Sequence, residues 1–500
     1  MENLPNVKVG LVAASRGNFS AELAVERLAR VMSMLPAHGF AAVDRVLKTE
    51  RDVPAVLEEL ARRECTALVI YLGNFGPEIP EALLAKRFSG PVMLAAAAEE
   101  DAAHLHAKRG DAYCGLLNAG YNLSLHGKRV YLPPRPVGLP AEVAAAATRF
   151  LPVARAATGV RSLKIITFGP RPDEFVACNA PIAPLYRLGV GIQENSELDL
   201  YASFLDHGGD ARIPAIVSEM RAETEPGDAM DGILPKLAQY EATLLDWIAE
   251  NRGAYAYVCL ANKCWPAFER CFGFVPCYVN SRFAGRLMPI ACEVDSYGAL
   301  SEFILCCAAK RAATLLDINN TVPPDLYARE IAGKYPYRAD ELFMGFHCGN
   351  TPKSLLCAAE LTYHKIMARQ LEPDRAPDIT RGTLEGNLRA GAVTLFRLQA
   401  DGDGRLHAYI VEGEVLPVSA ESFGCIGVIA VREMARFYRY GLLAEHFPHH
   451  CAAVYAPVGE ALFDLMRLLG VDDVTYNRPA GRLYDTENPF TARDDNASAG

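Results

Sequence analysis

The sequence predicts an α/β protein with two Rossmann-like doubly wound parallel-sheet domains, followed by a β-rich C-terminal domain. Three observations carry this. Short apolar runs alternate with amphipathic stretches from Val7 to about Ala156, the pattern of parallel strands joined by helical crossovers. The same alternation restarts at about residue 162. Beyond about residue 320 the texture changes to alternating segments separated by Gly- and Pro-containing turns, which indicates a β-rich region.

VKVGLVAA is the first predicted strand, and the amphipathic run from Ser20 to Leu35 the first helix. AAVDRVL, a helix over 53–63, CTALVIYLG, VMLAAAA at 92–98 and KRVYLPPRP at 128–136 continue the cycle, and an Ala-rich helix at 141–149 leads out of it. The second cycle runs through SLKIITFGPRPDEF, AYAYVCLA, LMPIACEV and ATLLDI. GAVTLFRLQ and HAYIVEGEVLPV, separated by DGDG, are the clearest strands of the third region. The expected division is 1–160, 161–320 carrying Glu293 and Asp317, and 321–484 carrying His347 and His450. A polar tail, expected to be mobile, fills 485–500.

Composition excludes several classes. The chain has 500 residues, 51% apolar and 22% charged, and its formal net charge is -10 with no polybasic block. A nucleic-acid or anionic-membrane partner is therefore not expected. No run approaches the roughly 20 apolar residues of a membrane helix, and acidic Glu2 stands where a secretory leader would be basic. With 14 cysteines in no disulfide-scaffold spacing, the expected setting is the reducing cytoplasm. Cys264, Cys271 and Cys277 contain no CxxC pair and read as buried thiols rather than a zinc site. GxGxxG, GxxxxGK[ST] and GxSxG are all absent, so nucleotide binding and a serine-hydrolase elbow have no support.

The segment LMPIACEVDSYGALSEFILCCAAKRAATLLDINN, 287–320, is the most informative. It places Glu293 at the end of one predicted strand, an apolar helix from about Ser296 to Ala313, and Asp317 at the end of the next strand. A right-handed crossover would return the chain parallel, so that both carboxylates project from the carboxyl edge where open α/β sheets bind ligands. Two carboxylates in one crevice repel each other, and a divalent cation keeps both ionised. With one imidazole added, such a set suits Mn²⁺ or Mg²⁺, and His347, His446, His449 and His450 are the candidates. Two simpler readings stay open: Glu293 as a helix-proximal charge, and Asp317 as a partner of the Asn319-Asn320 turn.

KCWPAFERCFGFVPCYVNSRFAGRLMPIACEVDSYGAL, then DINN, FHCGNTP and HHCAAVYAPVGEALFDLMRLLGV, resemble the core and C-terminal segments of the L-fucose isomerase family. The likeness covers about 255–475; in the first domain only pieces such as GLLNAGYNLSLHGKRV look similar. The resemblance implies that Glu293, Asp317 and His450 hold a divalent metal, usually Mn²⁺, with Mg²⁺ or Co²⁺ as alternatives. His449 falls where L-fucose isomerases proper tend to carry Asn, which separates this chain from a simple L-fucose enzyme. Glu and Asp, where L-arabinose isomerases carry two glutamates, place it on the fucose side. His347 is implied as a substrate contact or as support behind the metal.

The implied reaction is aldose–ketose isomerisation through a metal-bound cis-enediolate, with Glu293 and Asp317 as the acid/base pair. A hydride shift would use the same clamp. The implied assembly is a homo-oligomer, hexamers being common, in which the first domain of one subunit completes its neighbour's pocket and brings in 74–78, with Asn74 and Phe75. Arg16 and Arg171 lie in loops after predicted strands and could hold sugar hydroxyls or an anionic substituent. Trp265 offers a face for a sugar ring. The monosaccharide is left open among L-fucose, D-arabinose, another aldose and a sulfonated aldose. Two other classes fit the same residues: a non-catalytic sugar-binding protein, and a metal-dependent epimerase or aldolase.

Overall fold

The computed structural model describes residues 3–479 and 481–485. The tail expected over 485–500 lies, beyond Asp485, outside the described residues. The chain forms two compact units. One comprises Pro5–Gly159 with Glu460–Asp472; the other comprises Val160–Gly459, the residues from Asp473 onward and the N-terminal residues up to Leu4.

The first unit is built on five parallel strands, β1 (Val9–Ala14), β2 (Phe40–Ala42), β3 (Ala67–Leu72), β4 (Val92–Ala97) and β5 (Val137–Gly138), in the order β2-β1-β3-β4-β5. β1, β3 and β4 are buried along their whole length, as strands covered on both faces must be. The strand expected at 128–136 does not form. Tyr131 makes only an isolated bridge to Met93; Pro133, Pro134 and Pro136 have no N–H to donate to a ladder, so pairing resumes only at β5. The first helix, Ala21–Ser33, starts where Ser20 Oγ accepts the Leu23 N–H, and turns Ala24, Arg27, Leu28 and Val31 inward at helical spacing.

The second unit holds two sheets. Four parallel strands, β6 (Leu163–Phe168), β7 (Gly191–Asn195), β8 (Tyr257–Ala261) and β9 (Ile290–Ala291), lie in the order β7-β6-β8-β9. The remaining nine are β10 (Ala313–Asn320), β11 (Leu342–His347), β12 (Glu360–Tyr363), β13 (Arg381–Asn387), β14 (Gly391–Ala400), β15 (Leu406–Val415), β16 (Cys425–Ala430), β17 (His450–Val454) and β18 (Asp473–Tyr476). They form one mixed sheet, β12-β13-β16-β11-β10-β17-β14-β15-β18. Pairing of Glu414 with Ala430 and of Val415 with Ile429 closes β16-β11-β10-β17-β14-β15 into a ring, which removes the free edges of those six strands.

One expectation is corrected here. β10, and Asp317 with it, does not extend the parallel sheet of β9; it runs antiparallel between β11 and β17 in the nine-stranded sheet. The helix Ser296–Ala309 explains why 161–320 and 321–484 share one unit. It is buried from Tyr297 to Ala308 and packs on β8 and β9 as well as on β10, β14 and β17. A helix apolar on every side needs cover on every side, and here the two sheets supply it.

Candidate functional site

In the second unit, loops from the carboxyl ends of β6, β8 and β9 meet the inner ends of β10, β11 and β17. Glu293 sits in the turn between β9 and the Ser296–Ala309 helix. That turn is pinned by the Val294 N–H, which donates to the Asn262 carbonyl at 2.8 Å. Val294 has φ of 61°, a left-handed conformation that a β-branched residue adopts only where the surroundings impose it. Beneath the turn, Asn262 and Asn280 exchange amide hydrogen bonds at 3.0 and 2.8 Å.

Asp317 and His450 are direct partners across the antiparallel β10–β17 pair. His450 Nε2 lies 3.5 Å from Glu293 Oε2 and 3.6 Å from Asp317 Oδ1. Both of those oxygens are buried and lack a hydrogen-bond partner. Burial, with Asp317 and Asp295 nearby and His450 opposing, pushes the Glu293 carboxyl up to about 7. Burial likewise raises Asp317 to about 6, again against the pull of His450. Two unsatisfied carboxylate oxygens facing one imidazole nitrogen fit a divalent cation: its charge would offset their desolvation and its coordination would use the orphaned lone pairs.

The far side of His450 is occupied. Its Nδ1 lies 2.9 Å from Asp295 Oδ2 and 3.7 Å from Cys178 Sγ. Burial opposes the imidazolium, but Asp295 and Cys178 raise the His450 pKa well above its ordinary value in the metal-free protein. His449 Nε2 stands 3.8 Å from Asp317 Oδ1; burial, then the His450 charge, lowers its pKa to about 4. His347, at the end of β11, has its ring centroid 6.0 Å from that of His450. Its Nδ1 accepts the Cys348 N–H at 2.9 Å, which leaves Nε2 as the protonated nitrogen. Burial, followed by the three other histidines, holds it well below the usual range, so it is a neutral donor.

Trp265 and Arg171 stand in the loops after β8 and β6. Among the described residues, Trp265 meets the histidines through Phe175, whose ring meets Trp265 edge-on at 6.0 Å and lies 5.7 Å from His449 and 6.1 Å from His450. Arg171 turns back on its own loop, donating to the carbonyls of Pro172 and Asp173 at 2.9 and 2.6 Å. Arg16, Asn74 and Phe75 gather in the first unit, at the carboxyl ends of β1 and β3 where its strand order reverses. The Arg16 guanidinium covers the Phe75 ring at 4.5 Å and pairs with Glu78 at 3.3 Å. Asn74 latches the two loops together. It donates to Ser15 Oγ and the Ser20 carbonyl and accepts the N–H groups of Arg16 and Gly76. Gly115 lets the 112–125 helix approach this loop, since a Cβ there would stand 1.9 Å from the Phe75 carbonyl oxygen.

Sequence reasoning missed Asp295, Phe175, Cys178 and Arg397. Asp295 carried a readable signal as the acidic residue ahead of an apolar helix. Arg397 carried another, as the one charge inside GAVTLFRLQ. Among the described residues, a further group, His207, Asp210 and Asp246, has ligand spacing. Arg212 bonds both of its carboxylates at 2.6 Å, which makes it an ion-pair cluster.

Residues 10–161 match the fucose/sulfoquinovose isomerase N-terminal domain family, and residues 345–476 match the L-fucose isomerase C-terminal domain family. The chain belongs to the L-fucose isomerase-like family. It is similar to proteins named sulfoquinovose isomerase in Alkalicoccus urumqiensis, at 27% identity over 323 residues, 62% of this chain and 64% of that protein. The Priestia megaterium (strain ATCC 12872 / QMB1551) protein of that name is 26% identical over 255 residues, 49% of each chain. That of Clostridium sp. (strain MSTE9) is 24% identical over 326 residues, 63% of this chain and 65% of that protein. The match thus spans between about half and just under two thirds of these curated relatives.

Proposed function

We propose that this member of the family is an aldose–ketose isomerase acting on a monosaccharide, either an L-fucose- or D-arabinose-like aldose or a modified one, sulfonated aldoses included. The observation that carries the reading is His450 Nε2 facing Glu293 Oε2 and Asp317 Oδ1, all buried, in a chain of this family. The names of the relatives favour the sulfonated substrate.

Glu293, Asp317 and His450 would hold Mn²⁺, with Mg²⁺ or Co²⁺ as alternatives; such an ion supplies Lewis-acid polarisation of a sugar carbonyl and stabilises negative charge on adjacent oxygens. Glu293 and Asp317 also act as the acid/base pair. One would move the proton between C2 and C1 and the other the hydroxyl proton, through a cis-enediolate. His347 donates its Nε2–H to a substrate oxygen, and His449 lines the same pocket. Phe175 and Trp265 provide the apolar wall for the sugar's C–H face, and Arg171 stands at the loop that bears Phe175.

The protein is proposed to act as a cytoplasmic homo-oligomer, a hexamer by family resemblance. Fourteen free cysteines suit a reducing compartment, and among the described residues no helix is long and apolar enough to cross a membrane. For self-association, the helix Ala112–Leu125 is uncharged and presents Tyr113, Leu117, Tyr121 and Leu125 at one-turn spacing, each between 67% and 74% exposed. Arg16 and Phe75, on loops that the buried Asn74 latches together, are proposed to serve a neighbouring copy's sugar site.

The test is NMR of aldoses and ketoses incubated in D₂O with the full chain and Mn²⁺, with L-fucose, D-arabinose and 6-sulfonated glucose in the set. Ketose carrying deuterium at the migrating position supports the enediolate route, and ketose without it leaves a hydride shift or a proton shielded from solvent. C2 epimer or cleavage products would replace isomerisation with the epimerase or aldolase reading. Absence of turnover with Mn²⁺ bound would favour a sugar-binding protein.

A further inference from the structure

The ring of His450 is held between two sets of partners: Glu293 and Asp317 on Nε2, Asp295 on Nδ1. We propose that Asp295 and Arg397 are positioning residues that keep His450 in its Nδ1-protonated tautomer and thereby set the affinity of the site for its divalent cation. The inference rests on the metal-holding part of the reading above and not on which sugar is turned over.

Asp295 comes from the N-cap of the Ser296–Ala309 helix, Arg397 from β14 and His450 from β17. Asp295 Oδ1 accepts the Gly298 N–H at 2.8 Å and Arg397 Nη2 at 3.0 Å. Oδ2 accepts Arg397 Nη1 at 2.5 Å and faces His450 Nδ1 at 2.9 Å. Three donors thus converge on a carboxylate that has only acceptors to offer, so the proton between Oδ2 and the imidazole belongs on Nδ1. Nε2 is then the nitrogen that gives up its proton to a cation, and it faces the two carboxylates.

Arg397 fixes the direction of this chain. Its Nε and Nη2 both donate to Gln399 Oε1, at 3.0 and 2.6 Å, which leaves the guanidinium edge squared onto Asp295. Arg397 is fully buried and Asp295 is 1% exposed. A buried ion pair gains little stability over an apolar pair of the same volume, so stability alone gives no reason for this one. Orientation of a ligand histidine does give one, since a carboxylate behind a metal-binding imidazole fixes its tautomer and raises its basicity.

Asp295→Asn separates these roles. The amide oxygen can keep the Gly298 cap, but its NH₂ in place of Oδ2 would donate to Nδ1 and drive the proton to Nε2, where it blocks coordination. Calorimetric titration of the metal-free full chain with Mn²⁺ should give a dissociation constant raised by about 10- to 100-fold in Asp295→Asn, measured at a temperature where circular dichroism shows the variant folded, since Arg397 left without its counter-charge lowers the melting temperature. Arg397→Lys, which keeps one charge but loses the fork, should fall between the variant and wild type. Wild-type Mn²⁺ affinity in a folded Asp295→Asn protein would overturn the positioning role alone. A wild-type protein that binds no Mn²⁺ would overturn both this role and the metal reading. A measurement without any variant guards against misfolding: as pH is raised until the His450 imidazolium loses its charge, imidazole ¹⁵N resonances of the metal-free wild type should show the remaining proton on Nδ1, and its retention on Nε2 would overturn the proposal.

Discussion

Asp317 and His450 face each other across the β10–β17 pair, 133 positions apart in the chain, with Oδ1 and Nε2 at 3.6 Å. The Ile318 N–H donating to the His449 carbonyl at 2.9 Å fixes that register. Because side chains alternate along a strand, a slip of one residue would send His450 to the opposite face of the sheet and bring His449 to this one. The candidate metal set is therefore a product of strand register as much as of residue type.

Removing any member of the set should disable it. Glu293→Gln, Asp317→Asn and His450→Ala are each expected to lower turnover by at least about 10²-fold and to lower Mn²⁺ content per chain, with circular dichroism unchanged. Elemental analysis beside a turnover assay checks this, and full activity in any one variant removes that residue from the mechanism.

Acid should release the metal. With Glu293 raised to about 7 and Asp317 to about 6 by burial, protons compete with the cation for both carboxylates. Mn²⁺ affinity is expected to fall as pH drops from 8 through 7 to 5.5. Calorimetry across that range measures it, and a flat profile would mean that neither carboxylate is a ligand.

Three buried carboxyls set a second pH dependence, in the metal-free protein. Burial pushes Glu81, Glu269 and Glu302 each up to about 8 from an ordinary value of 4.5. The folded state then binds protons that the unfolded chain releases, so this stabilisation is complete below about pH 4.5 and is lost as pH rises through 8. The slope is up to about 1.4 kcal/mol per pH unit for each group. Urea unfolding from pH 5 to 8 should show the decline, and Glu81→Gln should lower its slope by about a third.

Phe175→Ala removes the ring between Trp265 and the histidine pair. It should raise KM by about 10-fold through lost apolar contact, with kcat and Mn²⁺ affinity little changed. A fall in kcat at unchanged KM would argue against the sugar-wall role.

Leu117→Glu and Tyr121→Glu place charges on the exposed stripe of the Ala112–Leu125 helix. Sedimentation velocity should show smaller assemblies than wild type, because a desolvated unpaired carboxylate opposes association. Unchanged sedimentation would assign the stripe another role.

The alternation of short apolar runs with amphipathic helices was enough to indicate α/β units and a β-rich C-terminal region, because side-chain periodicity is a local property. Glu293, Asp317 and the His449-His450 pair were legible as candidates because carboxylates and imidazoles are recognised residue by residue, and the resemblance to a family proposed which of them would hold a metal. Sequence alone did not settle which sheet would take ATLLDINN. A buried apolar strand reads the same whether its neighbours run parallel or antiparallel, and the choice was made by β11 and β17, distant in sequence, and by a helix that needed cover on every side. Tertiary structure likewise decided that Asp295 and Arg397, 102 positions apart, meet behind His450. Each carried a local signal, but nothing local pairs one with the other until folding removes the water that would otherwise satisfy each of them.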